Sequence, residues 1–111
     1  MRGAPNVSEE IQQAPRVPCR GEIDFWIGSL RFSGYYSDIS TTGIYIETMN
    51  PPEPGTRFKM RFTLPGYQRA IKVEGVVIWS RVPMGMGVQF VALTQDDYAA
   101  IKNFTATAQT R

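Results

Sequence analysis

The stretch TRFKMRFTLPG, residues 56–66, decides the architecture. Phe58, Met60, Phe62 and Leu64 fall on one side of an extended chain, while Arg57, Lys59 and Arg61 fall on the other. Side chains alternate across a strand with a period of two, so this is a strand with one dry face and one wet face. Pro65–Gly66 then turns the chain, proline presetting φ and glycine accepting a positive one.

The same period recurs outward in both directions. Downstream, RAIKVEGVVIWS over about 69–80 reads as a long strand, with Gly75 marking a bulge or bend. RVPMG is a turn and MGVQFVA the last strand. Upstream, Ile23, Phe25 and Ile27 alternate with Glu22, Asp24 and Trp26 over 22–27. Gly28–Ser29 suits a two-residue type II′ hairpin, because glycine supplies the positive φ at its first position. The return strand LRFSGYYSDI places Leu30, Phe32, Gly34 and Tyr36 on one face, and GIYIET (43–48) follows as a third strand. NPPEPG at 50–55 is a loop, since its prolines neither donate to a ladder nor continue a strand.

Only the C-terminal end changes period. Thr94 fits an N-cap with Asp97 three residues on, Leu93 is placed to staple onto Tyr98, and Tyr98, Ile101 and Phe104 form a helical stripe. A helix over about 95–105 is expected to plug one end of the sheet or cover a seam. The expected organisation is a flexible N-terminal arm (1–15), one folded domain (16–106) and a short tail (107–111). The fold is mainly β: about six antiparallel strands and one helix, with closure into a barrel covering the sheet edges.

Composition narrows the chemistry. The 111 residues, 42% hydrophobic and 20% charged, suit one globular domain. No apolar run reaches membrane-spanning length, and MRGAPNVSEEIQQAPR lacks the apolar centre of a secretory signal. One cysteine, Cys19, forms no internal disulfide, which fits the cytoplasm. With no histidine there is no Ser–His or Cys–His pair and no imidazole metal ligand. No enzyme, metal or cofactor is therefore expected. Net charge is +2, unevenly placed: residues 1–53 hold four cations and seven acids, residues 54–82 six cations and one acid. Such a basic middle suits phosphate, an acidic partner or simple solvation.

Two short stretches carry recognition chemistry: RVPCR (16–20) and DISTTG (38–43). Arginine presents a planar fork of donors matched to phosphate or to the O6/N7 edge of guanine. Asp38 supplies the complementary acceptor for guanine N1–H and N2–H, Ser40 donates or accepts, and Gly43 allows close backbone approach. The set reads as a guanine-nucleotide reader; taken piece by piece, each also suits an ordinary turn.

In order and context these stretches resemble the PilZ domain family: RVPCR, then DISTTGIYIET, PPEPGTRFKMRFTLPG and GVVIWSRVPMGMGVQF, spanning about residues 12–104. The resemblance implies a six-stranded antiparallel barrel with a C-terminal helix, acting as a receptor for the bacterial second messenger cyclic di-GMP. It assigns the ligand to Arg16 and Arg20, on a loop before the first strand, and to Asp38, Ser40 and Gly43. Trp79 matches a position where some members set a ring against a base, although a place in the barrel wall serves it equally. Many members set the second arginine directly before a Val-Pro-like pair, and in that register Arg16 is the second arginine and Gln12 holds the first position.

Two functions compete on this reading. The first is a non-catalytic receptor or adaptor: cyclic di-GMP reorders the N-terminal arm and the chain signals to an unidentified downstream protein of a motility or exopolysaccharide system. The second is an interaction module that has lost the ligand, with Gln12 in place of an arginine and the row Arg57, Lys59 and Arg61 meeting an acidic protein surface. DNA and RNA are not expected partners, since +2 is a weak electrostatic footprint.

Overall fold

The computed structural model describes residues 15–109. Its strands are β1 (Val17–Ile27), β2 (Leu30–Ile39), β3 (Gly43–Glu47), β4 (Arg57–Phe62), β5 (Ile71–Arg81) and β6 (Gly85–Val91), followed by a helix, α1 (Gln95–Gln109). All pairings are antiparallel, and the order β1-β2-β3-β6-β5-β4 closes when β4 pairs back onto β1 at Ile23–Trp26. A closed barrel leaves α1 no seam to cover, so the helix sits over one end.

β4 behaves as its alternation requires: Phe58, Met60 and Phe62 are buried, and Arg57, Lys59 and Arg61 are exposed. The interior is filled by large side chains from every strand, among them Phe25, Tyr36, Ile44, Ile46, Phe62 and Met86. Among the described residues Tyr36 is the one fully buried bulky residue with a polar tip, and its hydroxyl donates to the Thr63 carbonyl at 2.6 Å. Gly28, at φ +61°, makes the β1–β2 turn.

Two boundaries and one irregularity differ from the sequence reading. β1 begins at Val17 rather than near residue 21, because a register shift between Pro18 and Gly21 interrupts the alternation that would reveal it. In β5 the irregularity lies between Val77 and Trp79, while Gly75 pairs regularly with Phe58 and Phe90. Gly75 instead makes room for the core: a methyl there would stand 2.5 Å from Met60 and from Val88. The helix runs on to Gln109, through the start of the expected tail. The N-terminal arm lies outside the described residues apart from Pro15, as does Gln12.

The antiparallel order gives the barrel two unlike ends. One carries the β2–β3 turn, the β4–β5 turn and α1. There the Asp97 amide donates to Thr94 Oγ1 at 3.1 Å as an N-cap, and Tyr67 donates to the Asp97 carboxylate at 3.3 Å. The buried helix positions are Asp97, Ile101 and Thr105, with Phe104 partly buried; Tyr98 is largely exposed. This stripe is offset from the expected one because Tyr67 and the cap satisfy a polar residue facing inward. The opposite end carries the β1–β2 hairpin, the β3–β4 loop and the β5–β6 turn, with no helix. Among the described residues no helix is long and apolar enough to cross a membrane.

Candidate ligand-binding wall

One row of the sheet collects most of the recognition chemistry. Pro18 of β1 faces Asp38 of β2, Asp38 faces Tyr45 of β3, Tyr45 faces Gly87 of β6, and Gly87 faces Trp79 of β5. Directly opposed residues in an antiparallel ladder share a face, so Asp38, Tyr45 and Trp79 project together from the outer wall. Arg16, one residue ahead of β1, donates from Nη2 to the Asp38 carboxylate. Both side chains are about three-quarters covered, which makes this charge pair less screened than a rim ion pair.

The aromatic half of the row depends on two missing side chains. A methyl on Gly87 would lie 2.6 Å from Trp79 Cε2, and one on Gly85 would lie 2.8 Å from Tyr45 Cζ. Glycine at both positions lets the two rings lie down on the sheet, where their centroids are 5.5 Å apart at an interplanar angle of 30°. Arg81 holds its guanidinium 6.0 Å from the Trp79 ring. The wall thus offers a half-covered charge pair beside an aromatic shelf with a cation at its far edge. That combination suits a ligand that is flat, anionic and able to donate hydrogen bonds.

The sequence candidates take unequal places on it. Arg16 and Asp38 are brought together, and Trp79 faces outward in the same row. Arg20 stands within β1, not on a loop before it, and lies one row away: it approaches Glu47 at 3.4 Å and covers the Tyr35 ring at 4.0 Å. Ser40 is buried, and its hydroxyl accepts the amides of Thr42 at 3.1 Å and Gly43 at 3.2 Å. With the Ser40 amide on the Gly43 carbonyl at 2.9 Å, these contacts close the β2–β3 turn. Ser40 and Gly43 therefore position Asp38 rather than facing out themselves. Tyr45, Arg81, Gly85 and Gly87 are absent from the sequence candidates. Their one signal was GMGVQF, where Met86 and Val88 take the inward positions and leave a bare outward face on Gly85 and Gly87.

The fold defines the class: a small six-stranded antiparallel barrel stoppered at one end by its C-terminal helix. The chain belongs to the PilZ family, whose domain profile matches residues 10–107. No curated protein matches the chain. Among solved structures it is similar to the Bacillus subtilis inhibitor of motility MotI/DgrA, with a TM-score of 0.78 and 17% identity over 88% of this chain and 51% of that one. It is also similar to the PilZ domain of CeSA from a cellulose-synthesizing bacterium, with a TM-score of 0.63 and 16% identity over 85% of this chain and 97% of that one. The chain thus spans about half the length of MotI/DgrA. At such identities the likeness is one of fold.

Proposed function

We propose that the chain is a cytoplasmic, non-catalytic receptor for cyclic di-GMP that passes the signal to a partner protein. Membership in a family of receptor and adaptor domains for this messenger supports the reading. The observation that carries it is the Arg16–Asp38 pair standing in one row with the Tyr45–Trp79 shelf. Asp38 exchanges the Arg16 donors for guanine N1–H and N2–H, and the released guanidinium turns to a phosphate or to the O6/N7 edge. The second base stacks on Trp79, and Arg20 and Arg81 add positive charge at the borders of the site. Ser40 and Gly43 act by holding the turn that aims Asp38.

Isothermal titration with cyclic di-GMP tests this. Wild type is expected to bind, and Arg16→Ala or Asp38→Ala to weaken binding by about one to two decades, the loss of a charge-assisted contact worth about 1.5–3 kcal/mol. Absence of heat at high micromolar ligand in the wild type removes the proposal.

A second reading rests on a different wall. Lys59, Arg61 and Lys72 line a cleft of ≈ 520 Å³ beside Trp26, and among the described residues none of the three has a carboxylate within ion-pair distance. In this reading the exposed row Arg57, Lys59 and Arg61 of β4, two of whose members line this cleft, binds an acidic protein surface independently of the nucleotide. Reversing Arg57, Lys59 and Arg61 to Glu then abolishes partner capture whether or not cyclic di-GMP is present, and capture that survives reversal excludes it.

A further inference from the structure

β2 outruns its neighbour. β3 ends at Glu47, opposite Tyr35, so Leu30–Gly34 pair with β1 alone. Beyond β3 the chain turns toward β6, where the Thr48 amide donates to the Met84 carbonyl at 3.1 Å. Among the described residues Leu30–Gly34 make no backbone hydrogen bond to any segment besides β1. This part of β2 therefore keeps an open edge, about 17 Å long at strand rise; another such stretch, Val17–Glu22 of β1, is interrupted by Pro18 and a register shift.

Sheet edges are ordinarily blunted by proline, charged side chains, a bulge or a covering loop. LRFSG contains no proline, its single charge, Arg31, is drawn to Asp24 of β1 at 3.0 Å, and the register shifts of β2 lie beyond it, at Pro18/Gly21 and Tyr36/Asp38. Nor is it covered. Leu30 and Phe32 share the inward parity of Tyr36 yet are 64% and 38% exposed. Met49, Val82 and Met84 are exposed at the same helix-free end. Among the described residues, five of the seven exposed large hydrophobics thus gather at one end, which is not the scatter of an ordinary surface.

We propose that this edge pairs with the same edge of a second copy of the chain, about a two-fold axis through Phe32. An isologous contact demands a self-complementary patch, and this register supplies one. Phe32 meets Phe32 of the second copy, Leu30 meets Gly34, and Arg31 meets Ser33. No like charges oppose one another, and an aromatic pair forms at the centre. A two-fold through Arg31 would instead set two guanidinium groups face to face. Within each copy Asp24 already holds Arg31 at 3.0 Å and Ser33 at 2.8 Å, so the polar side of the edge is ordered before pairing. A five-residue edge with a small apolar flank buries little area, so the dimer is weak and concentration-dependent.

Sedimentation equilibrium of the full chain, from micromolar to millimolar concentration, should report a monomer–dimer equilibrium. Leu30→Lys should weaken it at least about tenfold with the melting temperature unchanged, because Leu30 is already mostly in water. In a Cys19→Ser background, Phe32→Cys should cross-link between chains on mild oxidation. Opposed residues in an antiparallel ladder stand about 4.5–5.5 Å apart between Cα atoms, within disulfide reach. Arg31→Cys in the same background should not cross-link. A monomer throughout, leaving the edge for a strand of another protein, overturns the proposal; so does a dimer indifferent to Leu30→Lys or a cross-link formed equally well from Arg31→Cys.

Discussion

Gly87 carries no side chain, and that absence shapes the outer wall more than any charged group does. A methyl there would stand 2.6 Å from the Trp79 indole, and the half-exposed ring would yield before the backbone does. Gly87→Ala is therefore expected to tip the indole off the sheet and break its contact with Tyr45 at modest cost in stability. With Trp26 replaced by Phe, the remaining tryptophan emission should shift to the red. If Trp79 stacks a base, cyclic di-GMP affinity should fall by roughly ten- to a hundredfold, since such stacking is worth about 1–3 kcal/mol. Unchanged emission together with unchanged affinity would remove Trp79 from the site. The Arg16–Asp38 pair of this wall was legible in the sequence because RVPCR and DISTTG each announce themselves locally, whereas Arg81 lies in neither stretch. Nor was the shelf legible. Tyr45, Gly87 and Trp79 lie on three strands that become neighbours only through the β3–β6–β5 ladder, and no short window contains them.

Among the elements, β2 and the β4–β5 turn are joined by the bond from Tyr36 to the Thr63 carbonyl at 2.6 Å. Burial pushes the Tyr36 phenol well above its ordinary value of 10.0, and burial likewise raises the Cys19 thiol above 9.0. Both groups are held neutral in the folded state. Their contribution is full below the unfolded values and drains away as pH climbs past 9 for Cys19 and past 10 for Tyr36 toward the folded ones. Tyr36→Phe should lose about 1–3 kcal/mol at neutral pH, because the Thr63 carbonyl is left without its donor. It should also lose stability less steeply above pH 10 than the wild type does, as read from urea unfolding along a pH series. An identical alkaline slope in both proteins would show that Tyr36 does not titrate on unfolding. The strands themselves were plain from period two in β4 and, from Ile44 onward, in β3, where alternation runs unbroken. The start of β1 was obscured where a bulge breaks that period at Pro18/Gly21, and in β5 the bulge at Val77/Trp79 carries no glycine to mark it. Ile101 and Phe104 of the helix stripe face the core as expected, but Asp97 takes the inward place expected of Tyr98, because hydrophobicity alone cannot foresee Tyr67 satisfying a buried carboxylate.

Across the whole molecule, closure of the barrel turns an uneven sequence into a surface with distinct sectors. The acids Asp24, Asp38 and Glu47 lie on β1–β3, where Arg31, Arg16 and Arg20 meet them, whereas five of the six cations of residues 54–82 lie on β4 and β5. There Arg61 stands directly opposite Lys72, an arrangement that costs about 0.2–1 kcal/mol in a ladder. Lys72→Gln should recover that amount in urea unfolding at low salt. Glutamine is the cleaner change, since Glu74 shares the outer face two residues along and would repel a second carboxylate. The gain should vanish at about 1 M salt, where the screening length shrinks to about 3 Å. No gain at low salt would mean that solvent already separates the two cations, and the row would then carry no stored repulsion. A gain accompanied by weaker capture of an acidic partner would show repulsion tolerated in the free chain because a carboxylate surface relieves it in the complex.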